Sequence, residues 1–236
     1  MPKSRSQAML AVMLLLSCCG VIVGNENPIP GHRPRTLDQA VGEAKAKGQT
    51  ETTLPRWIPG DRAFEGLYEA VADYSLVRAV LEEKRTLASG GHLNSYLRFE
   101  EIAKLAGPPP GLLPMPDHVP ADLHHISGRE FILIAPMDGE MVVQGVRVKS
   151  GNDTLEEFVI GRQYLLFVYC SGPEIGSLPF GLSGVFEVTD GKRLVPLRAN
   201  GDVASAFRGA SLSSVSDVDA YYKQHVAQPD AGRPVR

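Results

Sequence analysis

Three histidines and two aspartates crowd into one proline-rich stretch, AGPPPGLLPMPDHVPADLHHIS: His118, His124 and His125, with Asp117 and Asp122. Neutral imidazole donates a nitrogen lone pair and a carboxylate adds charge, so this set has the chemistry of a transition-metal site. The spacing argues the other way. It fits no helical metal motif of the H-E-x-x-H kind, and adjacent His124 and His125 cannot easily both chelate from an extended chain. A solvated polar loop is the ordinary reading of the same residues. The stretch also carries Pro108, Pro109 and Pro110, followed by Gly111, Leu112 and Leu113, which could form a polyproline II ligand for a partner or a rigid spacer. A connection this long with no periodicity of its own is uncommon without a purpose, so it is a candidate partner loop as well as a candidate metal loop.

The chain has three cysteines. Cys170 closes the apolar run FVIGRQYLLFVYC, where strand alternation sets it on one face with Leu166 and Val168. No His, Arg or Lys lies within a few residues to favour the thiolate, so Cys170 reads as an inert core thiol rather than a nucleophile. Too few cysteines are present for a disulfide framework, so a hydrophobic core must hold the fold. Other chemistry is hard to find. Gly181-Leu182-Ser183-Gly184 lacks the fifth position of a nucleophile elbow, and the chain contains no C-x-x-C, no G-x-G-x-x-G and no P-loop. Glu156 and Glu157 are adjacent acids that nothing in the sequence sets across a cleft. Asn152-Asp153-Thr154 matches a glycosylation sequon.

Cys18 raises a different possibility. The N-terminal stretch MPKSRSQAMLAVMLLLSCCGVIVG carries Lys3 and Arg5 and then an uncharged run from Ala8, the pattern of an export signal. Leu15-Leu16-Ser17-Cys18 resembles a bacterial lipobox, in which the cysteine receives the lipid and becomes the first mature residue. Two other endings stay open. Ile22-Val23-Gly24 could end a signal removed by ordinary cleavage, and Ala8 to Gly24 is an uncharged segment at the lower limit of about 17 residues for an uncleaved bilayer span. All three place the protein outside the cytoplasm, in the periplasm or on the outer surface. The first tethers it to a membrane through Cys18.

Composition sets limits on partners. The 236 residues carry 24 Lys and Arg against 27 Asp and Glu, a formal charge of −3. No basic field gathers nucleic acid onto such a surface. The hydrophobic share of 43% is that of an ordinary globular chain, with length for one medium domain plus extensions.

The elements that must position these residues follow from periodicity. Residues 1–24 are the signal and 25–60 read as a flexible tether rich in Pro, Gly, Thr and charge. Within it Leu37, Ala40, Val41 and Ala44 have helical spacing after Thr36, and Trp57, the single tryptophan, reads as a pin between tether and domain. The domain is expected over 61–200. Phe64, Leu67, Tyr68 and Val71 predict a short entering helix. YSLVRAVLEEKRTL and NSYLRFEEIAKL, joined through Ser-Gly-Gly, predict a long antiparallel hairpin with Leu97 and Phe99 inward and Tyr96, Arg98 and Glu100 outward. Glu82, Glu83, Lys84 and Arg85 read as a solvated, self-neutralising end of that strand. GREFILIAP and EMVVQGVRVKS should pair through Asp138-Gly139, and SGVFEVTD with KRLVPL through Asp190-Gly191. With FVIGRQYLLFVYC that makes about seven short strands. Residues 201–228 are a small, polar linker followed by an amphipathic helix with Ser216 as its cap, Asp219 as its capping acid and Val215, Val218, Tyr222 and Val226 as its stripe. Residues 229–236 are a loose tail.

The order ADYSLVRAVLEEKRT, NSYLRFEEIAKL, FVIGRQYLLFVY and SGVFEVTDGKRLVPL resembles uncharacterised exported bacterial proteins in which a long hairpin, a G-x-x-YLLF strand and a G-V-F-x-V strand build a small β-barrel similar to OB and netrin-like domains. The resemblance covers Tyr74 to Leu197, and its motifs are core-forming, so it implies a fold rather than an activity. Metalloproteinase inhibitors of that architecture reach zinc with a free N-terminal cysteine. An acylated Cys18 could not, so inhibition is not implied here.

The expectation is therefore a mainly β protein: a small antiparallel OB/netrin-like barrel with a short N-terminal helix and a C-terminal amphipathic helix. Its function is expected to be that of an exported, lipid-tethered binding or scaffolding module of the bacterial cell envelope, with no cofactor, and with an envelope protein or small ligand as partner. The alternative is a hydrolase or metal-dependent enzyme whose site lies under the 107–127 loop. The residues leave open whether the chain is an enzyme.

Overall fold

The computed structural model describes residues 36–55, 62–107, 130–136, 138–150, 155–170 and 175–226. All of them belong to one compact unit, Pro34–Arg236. Among the described residues 45% lie in strands and 28% in helices, so the expected mainly β class is met.

The chain enters through α1 (Leu37–Ala46), whose start is fixed by a capping box. Gln39 N–H donates to Thr36 Oγ1 at 3.3 Å, and Thr36 N–H donates to Gln39 Oε1 at 3.0 Å. Two of the orphan donors of the first turn are thereby satisfied. The face Leu37, Ala40, Val41 and Ala44 is buried against Leu54, Leu93, Val146 and Val148. The segment β1 (Glu51–Thr53) then pairs in parallel with β6 (Val146–Lys149). The tether expected over 25–60 is thus replaced, over its described part 36–55, by a folded helix and strand, and the domain begins well before residue 61. The spacing did show the helix. What it could not show was the apolar surface waiting for it on distant strands.

After α2 (Leu67–Asp73) come β2 (Ser75–Ser89) and β3 (His92–Ala106), fifteen residues each. They are joined through Gly90 and Gly91, whose φ of 61° and 79° are both left-handed. Only such a turn matches the twist of a two-residue hairpin, and glycine adopts it without steric cost. Register shifts at three places, one of them between Leu81 and Glu83, bend the hairpin along its length.

The strands β4 (Glu130–Pro136), β5 (Glu140–Val143), β7 (Gln163–Cys170), β8 (Ile175–Ser177), β9 (Val185–Thr189) and β10 (Arg193–Pro196) complete the set. The main sheet has the order β10-β9-β7-β2-β3-β4-β8, with β7 also paired to β8, and the small sheet the order β1-β6-β5. Pairing is antiparallel except for β1–β6 and β4–β8.

Three differences from the sequence reading have physical reasons. The ten strands among the described residues exceed the expected seven in part because EMVVQGVRVKS is itself a hairpin, β5–β6, turning through Gln144 and Gly145 at φ 51° and 82°. Asp138-Gly139 therefore does not join β4 to a sheet neighbour; it carries the chain from the main sheet to the small one. The strands β1 and β8 are only three residues long, too short for alternation to show. The polar stretch after Leu197 holds a further helix, α3 (Asp202–Gly209), which buries Val203, Ala204 and Phe207.

The last helix, α4 (Val215–Val226), starts two residues earlier than expected. Ser214 is the capping residue, accepting from Asp217 N–H at 3.2 Å, and Asp217 accepts from Ser214 N–H at 2.8 Å. Asp219 instead meets Lys223 Nζ at 2.6 Å. Hydrogen bonds from Ser214 and Ser213 hold the Asp217 carboxyl below the usual aspartate range. Val218 and Tyr222 are buried, as the stripe requires, and Tyr222 donates to Leu67 O at 3.1 Å. Burial pushes its phenol well above the ordinary tyrosine value.

Two cores share the main sheet. Val77, Ala79, Leu81, Leu97, Phe99, Phe131, Leu133, Tyr164, Leu166 and Val168 form one, drawn from one face each of β2, β3, β4 and β7. On the opposite face of β2 and β7, Leu76, Leu165 and Phe167 join Phe186 and Val188 under α2, α3 and α4. That is why YLLFV is apolar without alternation: both of its faces are buried.

Candidate functional site

Cys18, Trp57, the candidate metal set (Asp117, His118, Asp122, His124, His125), the candidate partner loop (Pro108, Pro109, Pro110, Leu112, Leu113) and Asn152 to Thr154 lie outside the described residues. So does the side chain of Cys170, which ends β7. Among the described residues no group of three His, Cys, Asp or Glu is placed to hold a metal ion. Three clusters among the described residues bring together side chains that are distant in the sequence.

The first lies on the outward face of β2, β3 and β4. Arg98 Nη1 meets Glu130 Oε1 at 2.6 Å and Arg98 Nε meets Glu83 Oε2 at 3.2 Å, while Arg85 Nη2 meets Glu83 Oε1 at 2.7 Å. Two cations and two anions cancel. The self-neutralising reading of Glu83 and Arg85 holds, but the four groups are half-buried and tie three strands together rather than ending one. Tyr96, on the same outward face, is buried too. Burial raises its phenol above the ordinary value, partly offset by Asn94.

The second constellation stands where β2 begins and β3 and β7 end. Arg62 N–H donates to Pro179 O at 2.9 Å, which fixes the backbone before α2. Its guanidinium lies over two rings, 5.7 Å from the centroid of Tyr74 and 5.4 Å from that of Tyr169. Arg62 Nη1 also donates to the Tyr74 hydroxyl at 3.0 Å. The rings meet edge to face, Tyr74 with Tyr169 at 6.1 Å and Tyr74 with Phe180 at 5.2 Å, and Phe64 and Phe167 pack on Phe180 from other sides. Gly107 turns with φ 98° directly against this junction, where a Cβ would strike the Tyr74 carbonyl and Ser75 Cα. Tyr74 is buried, whereas Tyr169 keeps 41% of its surface in solvent.

No family model, curated protein or solved structure matches the chain. The corner of Arg62, Tyr74 and Tyr169 must therefore be read from its own chemistry. A guanidinium set beside two tyrosine rings has the chemistry to meet an anion or a flat group. Sequence offered little signal for it, because Arg62 precedes Tyr74 by 12 positions and meets Tyr169 only through the pairing of β2 with β7.

A third cluster is a joint. Ser95 Oγ donates to Asp138 O at 3.0 Å and lies 3.2 Å from Thr86 Oγ1, while Asp138 N–H donates to Leu93 O at 3.1 Å. Gly139, at φ 99°, packs so closely that a Cβ would overlap Thr86 Oγ1 and Ser95 Oγ. Here the chain leaves the main sheet for the small one.

Proposed function

We propose that the protein is an exported module of the bacterial cell envelope, tethered through a lipid on Cys18, whose OB-like β-barrel binds a ligand or partner rather than transforming one. The observation that carries the reading is the pairing of the short strand β8 with both β4 and β7. Hydrogen-bonded neighbours then run from β7 through β2, β3, β4 and β8 back to β7. Three features of that order support an OB-like arrangement: the meander of β2, β3 and β4, the parallel step from β4 to β8, and the antiparallel return to β7. The side chains of β2, β3, β4 and β7 that face one shared core fill the space such a ring encloses. A barrel filled in this way would leave ligand binding to its outside, and Arg62, Tyr74 and Tyr169 lie outside that core.

Lipid attachment is supported by Leu15-Leu16-Ser17-Cys18 behind a charged n-region. No helix among the described residues is long and apolar enough to cross a membrane. Mass spectrometry of the mature N-terminus and fractionation of Cys18→Ser test the tether. A diacylated Cys18, with release of the serine variant from membranes, supports it. A lipid-free N-terminus at Asn25 overturns it.

A further inference from the structure

Five arginines, Arg85, Arg98, Arg147, Arg162 and Arg198, each meet a carboxylate within 3.2 Å. Among the described residues Arg62 gives one side-chain hydrogen bond, to the Tyr74 phenol, and it is exposed. A guanidinium carries five N–H donors, more than the Tyr74 phenol takes up. Its position is nonetheless set by two rings, by that bond and by the bond from its own N–H to Pro179 O. Such a cation loses little side-chain freedom when a ligand arrives.

We infer that the corner of Arg62, Tyr74 and Tyr169 binds a carboxylate carried on an aromatic or apolar group. The planar fork of Arg62 matches the two oxygens of a carboxylate. The exposed ring of Tyr169 gives the attached group a surface to lie on, while the buried Tyr74 behind it keeps the guanidinium in place. A single guanidinium suits a monoanion; phosphate dianions draw on clustered cations. This deepens the binding reading above and rests on it.

The test is calorimetric titration of the full chain in detergent with three probes: N-acetylphenylalanine, its amide, and phenyl phosphate. The acid should bind, with the amide weaker by about tenfold or more, the usual worth of a charge-assisted hydrogen bond. Arg62→Ala should lose the acid by a similar factor, Arg62→Lys should keep part of it, and Tyr169→Ala should weaken acid and amide alike. Thr36→Ala, at the far end of the hairpin, should bind as the unaltered chain does. Circular dichroism of each variant separates loss of the site from loss of the fold. Equal binding of acid and amide, binding unchanged in a folded Arg62→Ala, or no binding overturns the inference. Phenyl phosphate binding more tightly than the acid overturns the carboxylate assignment. Failure here leaves the lipid and fractionation results standing, so the site and the tethered-module reading fall separately.

Discussion

At the Gly90–Gly91 tip of the long hairpin Leu93 is wholly buried among α1, Leu54 and β6, and Leu37 N–H donates to Gly91 O at 2.7 Å. At the other end, where β2 begins and β7 finishes, Tyr169 leaves much of its ring in solvent with a guanidinium above it. The same sheet buries its apolar residues at one end and leaves Tyr169 partly exposed at the other. Apolar surface at the tip is covered by the chain's own residues, whereas at the corner the aromatics are arranged around a charge and only partly hidden. Ends of the first kind contribute stability; those of the second kind are available to something else.

The largest effect should come from the core that links the two ends. Leu166→Ala empties a fully buried position, and urea unfolding should show a loss of about 2–4 kcal/mol. A loss below about 0.5 kcal/mol would mean the inward face of β7 is misassigned. Gly139→Ala tests the joint behind the tip, where the positive φ and the contact with Thr86 and Ser95 leave no room for a methyl group. It should cost about 1–3 kcal/mol. Thr36→Ala removes the cap of α1 and should cost about 1 kcal/mol, whereas a flexible tether at 36–55 would cost nothing. At the corner, Tyr169→Ala removes a partly exposed ring and its edge contact with Tyr74, and should cost no more than about 1.5 kcal/mol. That contrast with Leu166, three residues away on the same strand, is the sharpest form of the comparison.

The smallest effect is a pH dependence at the start of α4. Hydrogen bonding depresses the folded pKa of Asp217, so its contribution is present above the ordinary aspartate pKa and is lost as pH falls through the folded value. Asp217→Asn should therefore flatten the acid limb of stability against pH. An unchanged acid limb would show that the cap of α4 does not titrate.

Much of this was legible from local pattern. The double glycine of the hairpin, the Asp190-Gly191 turn, the helical spacing after Thr36 and the stripe of α4 each announce an element because the signal lies within a few residues. What stayed hidden depends on pairing across the chain. The strands β1 and β8 are too short for alternation, and Asp138-Gly139 looks like a hairpin turn until β5 is seen to pair with β6. For α4, Ser214-Val215-Ser216-Asp217 carried the true capping signal, and the equally spaced Ser216 and Asp219 competed with it. The corner was the least legible feature. Arg62, Tyr74 and Tyr169 carry no motif, and only the register of β2 with β7, with Ser75 opposite Val168, brings them together.

The central claim is that the two ends differ in kind, one closed by the fold and one open to a ligand. Backbone amide NMR of the nitrogen-15-labelled chain during titration with N-acetylphenylalanine tests it most directly. Shift changes should concentrate at Arg62, at Tyr74 and Ser75, at Ala106 and Gly107 and at Val168 and Tyr169, and leave α1 and the β5–β6 hairpin unmoved. Changes centred on Leu37 to Ala44 and Val146 to Val148, with the corner silent, would contradict it.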